Sequence, residues 1–325
     1  MPSNRSSEVA NVREHTRRSA LRGASVVGMA AMASTAPATV ASARNRGPTT
    51  FVFVAGSNGS ASNEPELAMR GHRTVGVNLP GHEVTSGQFR AAYQAPQDLD
   101  ALATAPSPVA GTTLRDYARV TSEVVRRVAR NGPVVLVGGS MGGATISLVG
   151  NQIPDLIDRI VYDAALCCVD LPTMTDYFTT AEGSTSLAPL LAGGAIGDPQ
   201  AIGASRTNWR TADKDFLAKA KKALMAGGTD AEFFAMLNFL QPDEALSPMT
   251  ENARVQARSW GRIPRTYIRH TEDLMIPIAL QDRMITEADA LTPDNRFDVR
   301  SVRTSHVPTA ERYPEIVAIL DELAL

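Results

Sequence analysis

A chain of 325 residues, 43% hydrophobic and 20% charged, has the make-up of a globular protein with room for one large α/β domain or two small ones. Its formal net charge of -2 removes any electrostatic reason to expect nucleic acid or an anionic membrane surface as a partner. Its two cysteines, Cys167 and Cys168, are adjacent, a spacing that rarely satisfies disulfide geometry, so they read as small buried hydrophobes.

In chain order, Thr16-Arg17-Arg18-Ser19 is a twin-arginine pair, followed by a modestly apolar run from Ala24 to Val40 and by Ala41-Ser42-Ala43, small residues of the kind a signal peptidase cuts after. Residues 1–43 therefore read as a Tat-type signal peptide, with a mature chain starting near Arg44 and a secreted or periplasmic location. Ser34, Thr35, Pro37 and Thr39 make the run too short and polar for a stable membrane anchor.

Thr50-Phe51-Val52-Phe53-Val54 predicts a buried strand, and the following Ala55-Gly56-Ser57-Asn58-Gly59-Ser60 a loop of small residues whose N–H groups can approach a ligand. A helix from about Pro65 to Arg70, a strand over Thr74 to Val77 and a turn at Leu79-Pro80-Gly81-His82 come next. Leu114, Tyr117, Val120, Val124 and Val128 mark a helical stripe behind a capping threonine. Val134 to Val137 is an unbroken aliphatic strand, and another runs from Arg159 to Leu166. Between about Val169 and Ser259 no strand-like run occurs, while residues 213–224 and 231–240 read as helices, so this stretch is expected to form a helical cap. Strand 265–269, helix 277–286, strand 297–302 and helix 313–323 resume the alternation. Outside the cap, strand and helix alternate, which predicts an α/β fold built on a mostly parallel, doubly wound sheet.

Gly138-Gly139-Ser140-Met141-Gly142 fits G-x-S-x-G, the pattern that places a serine on a strained strand-to-helix turn with its hydroxyl free. It does not fit a dinucleotide loop: G-x-G-x-x-G is missing and no basic residue follows. Ser140 is the candidate nucleophile, and a serine needs a base to take its proton. Of the five histidines, His306 lies between the last predicted strand and the last helix, where its loop would overlie Ser140, and it is the candidate base. His72, His82 and His270 sit at turns or strand ends. The acid that orients the imidazole is expected between serine and histidine in chain order. Asp273 fits best, with Glu272 and Asp163 as alternatives. Such a site calls for no cofactor and no metal, and backbone N–H groups of Ser57 and Met141 are the expected oxyanion donors.

The 51–56 strand and loop, Leu79-Pro80-Gly81-His82, Gly138 to Gly142, Trp260 to Ile268, Asp273 and Ser305-His306-Val307-Pro308 together resemble the α/β-hydrolase superfamily. They are most similar to its branch of plant-type methyl esterases and hydroxynitrile lyases. The resemblance implies the α/β-hydrolase fold and a serine esterase acting on a small-molecule ester through Ser140, His306 and Asp273. Two departures stand out. Ala55 replaces the histidine that commonly precedes the first-loop glycine, and Val307 and Gly56 stand where the lyases carry a lysine and a hydroxyl residue, which favours hydrolysis. A lactonase, a cyanohydrin lyase and a non-catalytic ligand-binding protein stay open as alternatives, as do the acyl and alcohol parts of the substrate and the oligomeric state.

Overall fold

A computed structural model describes residues 47–83 and 87–325; the segment read as an export signal lies outside them. The elements are, in order, β1 (Thr50–Val54), α1 (Pro65–Met69), β2 (Arg73–Gly76), α2 (Leu99–Thr104), α3 (Leu114–Val128), β3 (Val134–Gly139), α4 (Gly142–Gln152) and β4 (Arg159–Asp163). Then come α5 (Met174–Phe178), α6 (Pro199–Ile202), β5 (Ala204–Arg206), α7 (Lys214–Leu224), α8 (Asp230–Phe239) and β6 (Asp243–Ala245). The chain ends with β7 (Arg265–His270), α9 (Ile278–Leu291), β8 (Phe297–Val302) and α10 (Tyr313–Glu322).

Six strands form one sheet in the order β2-β1-β3-β4-β7-β8, every neighbouring pair parallel. Parallel strands are buried on both faces, and the side chains divide accordingly. Val52, Val54, Val134 and Leu136 point into the layer of α3, α4 and α9, while Phe51, Val135 and Val137 face α1 and α10. Helix α3 starts where predicted because Thr113 and Asp116 form a reciprocal capping box, each side chain accepting from the other's backbone N–H. The strand expected over 159–166 stops at Asp163, since Ala164 takes a left-handed φ of 42°. Cys167 and Cys168 are buried free thiols, and burial pushes the Cys167 pKa up to about 12.

The stretch expected to be purely helical between β4 and β7 departs from that expectation in two ways. It carries a two-stranded antiparallel sheet, β5 against β6. Its apolar core of Trp209, Phe216, Leu224, Phe233 and Leu237 is also completed by Tyr93 and Leu102, which come from before α3. The cap thus draws on two separate parts of the chain. Among the described residues no helix is long and apolar enough to cross a membrane.

Candidate active site

The parallel sheet brings the carboxyl ends of β1, β3, β4 and β7 together under the cap, the edge at which ligands bind in open α/β sheets. Ser140 follows β3 with φ 50°, a strained conformation for a side chain with a Cβ. The glycines around it answer to space. A Cβ on Gly138 would lie 2.8 Å from Ile146 Cδ1 and 2.9 Å from Gly142 O, and one on Gly142 2.7 Å from the carbonyls of both Val54 and Ala55. Only glycine lets α4 sit this close to β1 and β3.

His306 Nε2 is 3.0 Å from Ser140 Oγ, and His306 Nδ1 is 2.8 Å from Asp273 Oδ2. The other carboxylate oxygen of Asp273 accepts from the N–H groups of Met275, at 2.7 Å, and Ile276, at 2.9 Å. These bonds fix the carboxylate as an acceptor, so Nδ1 carries the proton and the Nε2 lone pair faces the serine hydroxyl. The other two candidate acids are committed elsewhere. Glu272 is bonded to exposed Arg303 at 2.7 Å, and Asp163 to His270 Nε2 at 2.9 Å.

Met141 stands at the amino end of α4, where backbone N–H groups and the helix dipole favour negative charge. Gly56 packs so closely that a Cβ on it would lie 2.8 Å from Ser140 Cβ, which brings the Ser57 loop alongside the serine. Among the described residues, the N–H groups of Met141 and Ser57 donate to no protein acceptor.

Two histidine–carboxylate pairs flank the site, and of their four members only Asp163 was read from the sequence as a site residue, as an alternative acid. Glu244, on β6, accepts from Asn58 N at 2.7 Å, from Ala245 N at 3.0 Å and from Tyr117 Oη at 3.1 Å, with His82 Nε2 at 3.3 Å. Gln241 N adds a bond to Asn58 O at 2.8 Å. The cap therefore fastens the loop that carries Ser57. In the second pair, His270 Nδ1 is 3.0 Å and 3.2 Å from the carbonyls of Ser305 and His306, so Asp163 and His270 hold the base-bearing loop to the end of β4. Both histidines lack a sequence signal because their partners are far along the chain.

Burial pulls the pKa of His82 and of His270 down, but Glu244 and Asp163, respectively, more than offset it and leave both raised. A raised histidine pKa contributes stability in full below the unfolded value near 6.5 and loses it as pH rises through the folded pKa. Melting temperature is therefore expected to fall as pH rises above about 6.5. Calorimetric scans of His82→Gln and His270→Gln are expected to show a shallower fall than the wild type, and parallel curves would contradict the assignment.

The pocket over Ser140 encloses about 510 Å³, within the range of small-molecule sites. Leu166, Phe178, Leu191, Leu240 and Met275 supply much of its apolar wall. Among the described residues no group of three or more His, Cys, Asp or Glu side chains is arranged to hold a metal ion.

A model described as the alpha/beta hydrolase family matches residues 21–319. The chain belongs to that family. Among curated proteins, it is 27% identical over 267 residues to a pyrethroid hydrolase of Sphingobium wenxiniae, a match covering 78% of this chain and 79% of that one. It is also 25% identical over 218 residues to methylesterase 13 (named as putative) of Arabidopsis thaliana, covering 66% of this chain. The chain spans about half the length of the Arabidopsis methylesterases it matches, 45% and 51% for two of them. Among solved structures, a pyrethroid hydrolase from Sphingobium faniae superposes with a TM-score of 0.62 at 19% identity, covering 84% of this chain and 97% of that one. At that identity the likeness speaks for the shared hydrolase fold alone.

Proposed function

We propose that this member of the alpha/beta hydrolase family is a serine esterase that cleaves carboxylic esters of small to medium apolar substrates. The observation that carries the reading is the unbroken chain Asp273–His306–Ser140, bonded at 2.8 Å and 3.0 Å on the floor of an apolar pocket. In the proposed cycle Ser140 Oγ attacks the ester carbonyl carbon and His306 Nε2 takes the hydroxyl proton. The oxyanion is held by the N–H groups of Met141 and Ser57. The tetrahedral intermediate expels the alcohol, which receives the proton from His306. Water then attacks the acyl-enzyme with His306 again as base, freeing the acid and restoring Ser140. Asp273 holds the productive tautomer throughout.

Relatives named for pyrethroid hydrolysis and for methylesterase activity support this reading. Val307 and Gly56, where the related lyases carry a lysine and a hydroxyl residue, favour ester hydrolysis over cyanohydrin cleavage. The twin-arginine segment ahead of residue 44 supports export, so we place the mature enzyme outside the cytoplasm. On p-nitrophenyl esters from acetate to dodecanoate, kcat/KM is expected to peak at butanoate to octanoate, as a pocket of about 510 Å³ admits. Hydrolysis of none of these esters would overturn the proposal.

A further inference from the structure

The pocket wall is apolar except at a few points, and one of them is a carboxylate that the ester mechanism does not use. Asp163 ends β4, paired in register with Gly139, and its main-chain carbonyl accepts from Ser140 N at 3.4 Å. Adjacent strands lie about 4.8 Å apart, so Asp163 stands beside the turn that carries the proposed nucleophile, and both residues line one pocket. It lines the cavity and keeps 24% of its surface exposed there.

Its state is set by His270 behind it. Among the described residues, Nδ1 of His270 is within hydrogen-bond distance only of carbonyl oxygens, those of Ser305 and His306, and must carry a proton. Nε2, 2.9 Å from Asp163 Oδ1, then donates as well, so the two side chains form an imidazolium–carboxylate pair. The imidazolium lines the pocket but is only 1% exposed, and its two N–H groups are spent on Asp163 and on the Ser305 and His306 carbonyls, so it offers a ligand no free donor. Asp163 Oδ1 is occupied. Asp163 Oδ2 has no protein donor among the described residues, and Asp163 lines the pocket. A net neutral pair with one open acceptor suits a neutral O–H or N–H donor better than a cation, because the imidazolium already balances the charge, and it repels an anion.

We infer that Asp163 and His270 form a polar subsite that binds a hydroxyl group of the substrate, so that the preferred esters are hydroxylated within two or three bonds of the scissile carbonyl. The inference rests on the esterase reading above and narrows its substrate class. Asp163 accepts from the hydroxyl, and His270 fixes Asp163 to the loop that carries His306. A hydrogen bond to a charged acceptor is worth about 10- to 100-fold in kcat/KM.

The test compares matched pairs by pH-stat: ethyl 3-hydroxybutanoate against ethyl butanoate, and ethyl lactate against ethyl propanoate. The wild type is expected to favour at least one hydroxylated member by about 10-fold or more, and Asp163→Asn to bring that ratio down several-fold. The ratio, rather than the absolute rate, is the readout, so a general loss of activity does not mimic the effect. Ser140-dependent hydrolysis of both members at equal rates in the wild type would overturn the subsite and leave the esterase reading standing, as would a ratio untouched by Asp163→Asn. If Asp163→Asn does not fold, the wild-type ratio alone decides. Hydrolysis of neither member would overturn the esterase reading and the subsite with it.

Discussion

Replacing Ser140 by alanine is expected to lower kcat for ester hydrolysis by about 10⁵- to 10⁶-fold while leaving the fold intact. Alanine keeps the Cβ of serine, so the strained turn at φ 50° is neither relieved nor worsened, and the glycines packed around it are undisturbed. What is lost is, among the described residues, the only atom within hydrogen-bond reach of His306 Nε2. The same assay ranks the acids. Asp273→Asn should cost about 10⁴-fold by presenting the wrong tautomer to the serine, whereas Glu272→Gln, whose carboxylate is spent on exposed Arg303, should cost less than about twofold. A Ser140→Ala protein that retains ester hydrolysis within about tenfold of the wild type would exclude the proposed nucleophile.

The largest effect on stability is expected in the cap, from Asp243→Ala. Arg206 and Asp243 pair across β5 and β6 with both side chains wholly buried, Nε to Oδ1 at 2.5 Å and Nη2 to Oδ2 at 2.7 Å. Arg206 also donates to the carbonyls of Leu102 and Ala105, and Arg90 reaches Asp243 Oδ2 at 3.2 Å. Removing the carboxylate strands a guanidinium without its counter-charge, a change that costs about 3–5 kcal/mol. For a domain of this size that corresponds to a fall in Tm of about 10 °C. Glu123→Ala, which breaks exposed i,i+4 pairs with Arg119 and Arg127, serves as the control and should cost under about 1 kcal/mol. Equal melting shifts for the two variants would contradict the description of the cap.

The same pair explains why the cap was hard to read in the sequence. Ala204-Ser205-Arg206 and Asp243-Glu244-Ala245 are three-residue strands in which buried Arg206 and Asp243 meet each other and Glu244 is buried too, so neither shows the apolar alternation by which strands are recognised. The contribution of Tyr93 and Leu102 is equally invisible, because their partners lie more than a hundred residues on. The sheet was legible for the opposite reason. Its central strands are buried on both faces, which demands continuous Val, Ile and Phe, and their carboxyl ends carry Ser140, Asp163 and His270. Chain order pointed to Asp273 ahead of Asp163 and Glu272, but the order of elements cannot tell which carboxylate the histidine meets; distances can. The roles of His270 and Glu244 had no local signal, since each depends on a partner brought in by another element.

The claim that Ser140 is an activated nucleophile is tested most directly by exposing the protein to an organophosphonate and locating the adduct by peptide mass spectrometry. One equivalent of covalent label on Ser140 is expected, with labelling lost in Ser140→Ala and strongly slowed in His306→Ala. No adduct on Ser140 in a protein that is folded by circular dichroism would contradict the account.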